Sequence, residues 1–454
     1  MLKEKSRIKT AVTVEQLPMK EEMMAYQAFS DDSLGFTTRQ LHAGYDPSRH
    51  HRAKTVPIYQ DSAFELGDFE RGIRLFSFAE DGYSYGRYSN PTNEVLERRL
   101  ASLEGGGAAV AMASGMSVIA NTFLNLATSG DEIVAAGTLY GGSLTLLKKI
   151  LPQYGIRGVF VSDEDDASSY AAAITDRTKA IFVESLGNPN SNIVDLEKIA
   201  EVAHRRGVPL IVDNTFATPY LLRPFEYGAD IVCYSATKYL SGHGTLIAGV
   251  GVEKGGFDWL NGRYPQFERF YEDNRESIPE DELIGHLFSK RLRMTYLCDM
   301  GAYMSPTTAF YVLQGMETLS LRMERHVRNA QAVADFLVSH PAVKDVRYPG
   351  LPRSPYHALA EKYFPKGPGA IVSFRPEGGL EAAKRVLERV RLFDFMVNVG
   401  DAKSLIVHAA TSTHFGQPVE VREAAGVYED TLRLSIGIED AEDLIADLAG
   451  ALAT

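Results

Sequence analysis

Cysteine is scarce in this 454-residue chain. Cys233 and Cys298 stand alone, too few for a disulfide framework or a cysteine-based zinc site, so a reducing, cytoplasmic setting is expected. No apolar run approaches the ~18 residues of a membrane-spanning helix. The charged N-terminus, MLKEKSRIKTAVTVEQLPMKEEMMAYQAFSDDS, lacks the apolar centre of a secretory signal. An excess of positive charge is missing too: 47 Lys and Arg against 59 Asp and Glu give a net charge of −12, which argues against nucleic acid as a partner. His50-His51, His408 and His414 lack metal-ligand spacing, and no metal is expected. Internal repeats are absent.

What is present is ample apolar material. At 45% hydrophobic content a chain of this length buries a large core, and two domains plus an arm are predicted. Between Ala109 and Val252 the runs EIVAAG, VFVSD, AIFVES, PLIVDN and DIVCYS read as buried strands. Helical patterns separate them, such as Ser143 to Tyr154 and Asp195 to Arg206, the latter with Asp195 as N-cap. This alternation predicts an α/β fold with a mostly parallel sheet covered on both faces, whose ligands sit at the carboxyl ends of the strands. From about Leu321 long helices mix with the strands AIVSFRP and TLRLSIG, an α+β pattern. The resulting division is 1–90 as tail and arm, 91–320 as the large domain and 321–454 as the small one.

Chemistry-bearing residues gather at the predicted strand exits. PLIVDN ends in Asp213, and DIVCYS is followed by Ser235, Thr237 and Lys238. A lysine at such an exit is usually a solvated surface residue, but the small Ser-Ala-Thr before it and Gly-His-Gly after it let a ligand approach closely. A desolvated lysine is a nucleophile toward carbonyls. Pyridoxal 5′-phosphate would use both groups, with a Schiff base on Lys238 and a carboxylate, Asp213, for its ring nitrogen. Ser114-Gly115-Met116 at a helix start offers free amides to a phosphate, although Ser-Gly before a helix is also ordinary capping. Tyr140 in TLYGG could stack on a pyridine face or simply be a core residue.

The ordered motifs YGRYSNPT, ASGM, TLYGG, VDNTFATPYLLRP, YSATKYLSGHG and LRLSIGIED resemble the Cys/Met-metabolism family of pyridoxal-phosphate enzymes, of the trans-sulfuration type, over about residues 35–454. The resemblance implies the type I fold of PLP-dependent transferases. It implies Lys238, Tyr140 and Asp213 as catalytic residues. Ser114, Gly115, Met116, Asn188, Ser235 and Thr237 would help hold the coenzyme, and Arg433, Asn398 and Ser404 the amino-acid substrate. Tyr85 and Arg87 would reach the phosphate of a neighbouring subunit, so the expected assembly is a homotetramer of dimers with shared sites.

Within the family, ESLGNPN, VGDAKSLIVHAATSTH and the long segment from Asn261 to Pro306 look like the O-acetylhomoserine sulfhydrylase branch. Gly142 stands where methionine γ-lyases commonly carry a cysteine. The implied reaction is γ-replacement on O-acetyl-L-homoserine by sulfide or a thiol, with methionine γ-lyase and cystathionine γ-synthase as alternatives. The loop from His408 departs from the pattern, with Ala409 in place of the usual proline. GVGVEKGG and EGGG raise a dinucleotide-binding alternative, weakened because strand, G-x-G-x-x-G and helix do not follow in order.

Overall fold

The computed structural model describes residues 33–77, 79–413, 415–416, 419–424 and 426–453. Most of the N-terminal tail, and His414, lie outside the described residues. Two sheets organise the chain. The first has seven strands: β1 Ala108–Met112, β2 Glu132–Ala135, β3 Arg157–Phe160, β4 Thr178–Glu184, β5 Leu210–Asp213, β6 Ile231–Tyr234 and β7 Gly249–Glu253, in spatial order β1-β7-β6-β5-β4-β2-β3. From β6 to β3 every pairing is parallel, while β7 runs antiparallel to both its neighbours. Strands β4, β5 and β6 are buried almost throughout, which is why they read as continuous apolar runs rather than alternating ones.

The second sheet has five strands: β8 Val343–Arg347, β9 Ile371–Pro376, β10 Asp394–Phe395, β11 Leu405–His408 and β12 Leu432–Ser435, in order β10-β11-β12-β9-β8. It is antiparallel except for the short β10–β11 pairing. Helix Leu319–Ser339 leads from one sheet to the other and packs both Arg322 and His326 inside. Among the described residues no helix is long and apolar enough to cross a membrane, and no cluster of three or more His, Cys, Asp or Glu is placed to hold a metal.

Two local expectations need correction. The helix over Ser143 to Tyr154 is broken into α-helix Gly141–Thr145, a π turn Leu146–Ile150 and a 3-10 turn Leu151–Tyr154. Pro152 lacks the amide that a continuing helix needs at that point. Helix Leu196–Arg205 starts where expected, but the Asp195 carboxylate does not cap it. That carboxylate instead receives the Tyr363 hydroxyl and the Lys198 and Lys362 ammonium groups. The glycines of GVGVEKGG also find a packing explanation. A Cβ on Gly249 would lie 2.2 Å from the carbonyl oxygen of Ser114, so β7 passes against the Ser114-Gly115 corner and forms no dinucleotide turn.

Candidate active site

The carboxyl ends of the parallel strands open onto a cavity of about 260 Å³, in the position expected for such sheets. Its wall brings together Ser114, Gly115, Met116, Tyr140, Asn188, Asp213, Ser235, Thr237, Lys238, Asn398 and Arg433. The part of the chain that carries the five-stranded sheet contributes Arg433 of strand β12, the loop with Asn398, and Thr413.

Asp213 is the last residue of β5. Its Oδ1 accepts both the amide and the hydroxyl of Thr215, at 3.0 and 2.5 Å. Burial pushes its carboxyl up to about 6, against the pull of those two bonds. Directly beside it in register, Glu184 is the last residue of β4 and lines the same cavity. Burial, reinforced by the charge of Asp213, holds the Glu184 carboxyl well above the carboxylate range. Two buried carboxyls this close do not both ionise. Burial, with the charge of Asp213 beside it, disfavours a second charge at Glu184, so the neutral form of Glu184 is favoured next to an ionised Asp213.

Lys238 follows the turn that closes β6, with its amide bonded to the Ser235 carbonyl. Its Nζ donates to Asn398 Oδ1 at 2.6 Å. Burial, and then the nearby charge of Arg433, lower the ammonium to about 8, so part of it is the free amine near neutral pH. Arg433 is buried on β12 and donates from Nη1 to Asn188 Oδ1 (2.8 Å) and from Nη2 to the Asn398 carbonyl (3.2 Å). Asn398 therefore sits between the two cations, with its side chain on the lysine and its backbone on the arginine. The buried Nε of Arg433 has no partner among the described residues.

Helix Gly115–Leu126 begins at the cavity under a capping box in which Ser114 and Ser117 satisfy each other's amides. The next amides, of Gly115 and Met116, have no carbonyl one turn earlier to bond and face the anion-favouring end of the helix. Gly115 is required by space: a Cβ there would lie 2.7 Å from Ser235 Cβ. The Thr237 hydroxyl is engaged by Ala248, donating to its carbonyl and accepting its amide. Tyr140 is 45% exposed, with its ring directly over Gly142, where a Cβ would come within 2.5 Å of Tyr140 Cε1.

Three residues drawn in by resemblance are not brought to this cavity. Ser404, expected near the substrate, is fully buried elsewhere. Its hydroxyl donates to Glu439 Oε2 and accepts the Gly437 amide, both at 2.9 Å, so it braces the edge of the small sheet. Tyr85 and Arg87 line a separate cavity with Gln60, Asp61 and Tyr303, the guanidinium lying 5.0 Å over the tyrosine ring. Conversely, Glu184 and Thr215 belong to the site and were not singled out from sequence. An acidic residue closing each of two neighbouring strands, and a hydroxyl two residues after Asp213, were the available signals.

The family model described as Cys/Met metabolism PLP-dependent enzyme matches residues 37–453. The chain is 45% identical to a homocysteine synthase of Schizosaccharomyces pombe over 93% of its own length and 99% of that protein. It is 44% identical to O-acetyl-L-homoserine sulfhydrylase 1 of Thermus thermophilus, covering 92% of this chain and 100% of that one. Among solved structures, a Campylobacter jejuni protein provisionally assigned as an O-acetylhomoserine (thiol)-lyase superposes with a TM-score of 0.88. It is 40% identical, covers 93% of this chain and 100% of its own, and carries N′-pyridoxyl-lysine-5′-monophosphate.

Proposed function

The chain belongs to the family of Cys/Met metabolism PLP-dependent enzymes, and on that premise we propose that it catalyses γ-replacement on O-acetyl-L-homoserine. Sulfide or methanethiol enters at Cγ and acetate leaves, giving L-homocysteine or L-methionine. Relatives named as homocysteine synthase and O-acetyl-L-homoserine sulfhydrylase support this reading. The observation that carries it is the juxtaposition, around one cavity, of a partly neutral lysine, a buried carboxylate and a buried guanidinium bridged by Asn398.

Pyridoxal 5′-phosphate is the cofactor, and the residues fit it. The Gly115 corner leaves no room for a side chain and suits close approach of a phosphate, with Ser235 alongside. Asp213 would hold the ring nitrogen and Lys238 the aldehyde carbon, while Tyr140 would cover one ring face. When bound, the coenzyme supplies an electron-withdrawing ring that acidifies the substrate's α- and β-carbons.

The chain's own residues do the rest. Arg433 receives the substrate's α-carboxylate, which fixes the orientation of the amino acid. Lys238 Nζ, near its balance point at about pH 8, takes a proton from the α-carbon and returns one later. Ile247 and Val397 form an apolar rim at the cavity mouth that suits the acyl chain and an alkyl thiol and sheds water. Gly142 leaves the Tyr140 ring its place at the cavity, since a Cβ there would come within 2.5 Å of Tyr140 Cε1.

In this reading residues 91–320 bind the coenzyme, 321–454 close over the substrate, and Tyr85 and Arg87 on the arm serve the phosphate of a neighbouring subunit in a homotetramer. Their separation from this chain's own cavity and the exposure of Tyr85 support that assignment. The compartment we assign is the cytoplasm, supported by two unpaired cysteines. The test is product analysis with O-acetyl-L-homoserine plus sulfide or methanethiol, against methionine alone. Homocysteine or methionine should form one for one with acetate. Breakdown of methionine without any replacement product would sink the reading.

A further inference from the structure

The Tyr140 ring is half exposed, yet the turn that carries it is tied down by two carboxyl groups, only one of which lines the cavity. The Tyr140 amide donates to Glu184 Oε1 at 2.6 Å. Two residues earlier, the Thr138 amide donates to Glu164 Oε2 at 2.7 Å, and the Thr138 hydroxyl donates to Glu164 Oε1. Glu164 lies in the loop after β3 and does not line the cavity.

The same Glu164 Oε1 accepts Asn192 Nδ2 at 2.9 Å, and that nitrogen also reaches Thr138 Oγ1 at 3.1 Å. Asn192 belongs to the loop after β4, which folds back on itself through the Gly187 amide bonded to the Asn192 carbonyl. Gly187 has no space for a side chain, since a Cβ would sit 2.0 Å from Asn192 Oδ1. One residue on, Asn188 Oδ1 holds Arg433 Nη1. A continuous polar chain thus runs from the Tyr140 turn, through Glu164 and Asn192, to the residue that steadies the guanidinium.

We propose that Glu164 is a positioning residue that clasps the Tyr140 turn to the Asn188 loop, with Glu184 as the inner tie, and so keeps the coenzyme-covering ring and the carboxylate-binding arginine in fixed relation. This rests on the function assigned above. The chemistry of the clasp explains the residue type. Three donors converge on Glu164: an amide, a hydroxyl and a carboxamide. A carboxylate accepts them all, whereas a glutamine would turn an NH2 toward one of them. Burial pushes the Glu164 carboxyl upward, a cost that these bonds offset in part.

The experiment compares wild-type holoenzyme with Glu164→Gln by three readouts: the visible circular dichroism band of bound pyridoxal phosphate, the KM and kcat for O-acetyl-L-homoserine, and the melting temperature of the apoprotein. The expected result is a dichroic band reduced by about half and a KM raised about fivefold, with kcat changed by less than about threefold. Glu164→Asp, which keeps an acceptor on a shorter arm, should recover part of the band. If Glu164→Gln does not fold, Asn192→Ala cuts the link on the far side and should give the same split at smaller amplitude. A lowered melting temperature with band and KM unchanged would reduce Glu164 to a structural residue and overturn the proposal. A wild type lacking sulfhydrylase activity would instead sink the assigned function, and the dichroism comparison would still stand.

Discussion

The two sheets build the site by different means. In the seven-stranded sheet, parallel β4, β5 and β6 deliver Glu184, Asp213 and the Ser235–Lys238 turn from successive strand ends to one edge. Parallel strands end on the same side, so each one adds a group. The five-stranded sheet is mostly antiparallel, and its strand ends point alternately away. It places one strand side chain in the cavity, Arg433, from within β12, where the backbone is bonded to β11 and β9 on both sides. The first sheet therefore supplies several cooperating groups whose loss affects the chemistry. The second supplies one rigidly mounted cation, whose loss should affect binding and orientation.

The sharpest break of that comparison is at Lys238. Lys238→Ala should lower turnover by at least about 10³-fold, because among the described residues no other amine reaches the cavity wall to move the substrate's protons. The fold should survive, since among the described residues Nζ bonds only Asn398. Far-ultraviolet circular dichroism beside the activity assay checks both halves. Borohydride reduction and peptide mapping should find the coenzyme on Lys238 in the wild type.

Asp213→Asn comes next, with kcat expected to fall by roughly 10²-fold and KM to change little. An amide cannot hold a positive charge on the ring nitrogen. Retained kcat would mean that Glu184, its registered neighbour, is the ring's partner instead.

Arg433→Lys probes the other sheet. Charge is kept while the planar fork is lost, so KM for O-acetyl-L-homoserine should rise about tenfold with kcat less affected. Arg433→Gln separates charge from shape. Removing a positive charge that now lowers the Lys238 ammonium raises its pKa. Capture of pyridoxal phosphate by the apoprotein requires the free amine, so its pH midpoint should move from about 8 to a more alkaline value. A stopped-flow absorbance titration across pH reads that shift, and an acid shift would contradict the electrostatic account.

The same contrast explains what could be read from the sequence. Buried parallel strands announce themselves as apolar runs, and the residues that end them, Asp213 and the Ser235–Lys238 turn, mark the site directly. Gly115 was legible only in part, because Ser-Gly before a helix is also ordinary capping, and it is the Ser235 Cβ packed against it that shows the close approach. Glu184 was hidden inside AIFVES, because its meaning depends on standing beside Asp213, a register that only pairing reveals. Glu164 lies in an acidic stretch, SDEDD, indistinguishable from a solvated loop until Thr138 and Asn192 are seen to converge on it. In the five-stranded sheet, Arg433 came from resemblance rather than from pattern, since an antiparallel strand does not advertise which residue faces a ligand. Ser404 came the same way, and the structure puts its hydroxyl on other partners.

Ser404 gives the smallest expected effect and the cleanest test of the contrast. It precedes β11 and is fully buried, with its hydroxyl donating to Glu439 and accepting from the Gly437 amide just beyond β12. Its own amide donates to Glu439 Oε1 at 2.6 Å and would survive substitution. Ser404→Ala leaves the buried Gly437 N–H without an acceptor, a loss of about 2 kcal/mol, partly relieved because Glu439 is only half-buried and can turn to water. The cavity should scarcely notice: Gly400, which anchors the Asn398 loop, draws on the Ser435 hydroxyl rather than on Ser404. The expected outcome is a lowered denaturation midpoint with kcat/KM within about twofold of wild type. If KM for O-acetyl-L-homoserine instead rises about tenfold at unchanged stability, the hydroxyl touches the substrate, and the small sheet would have to supply a second binding group besides Arg433.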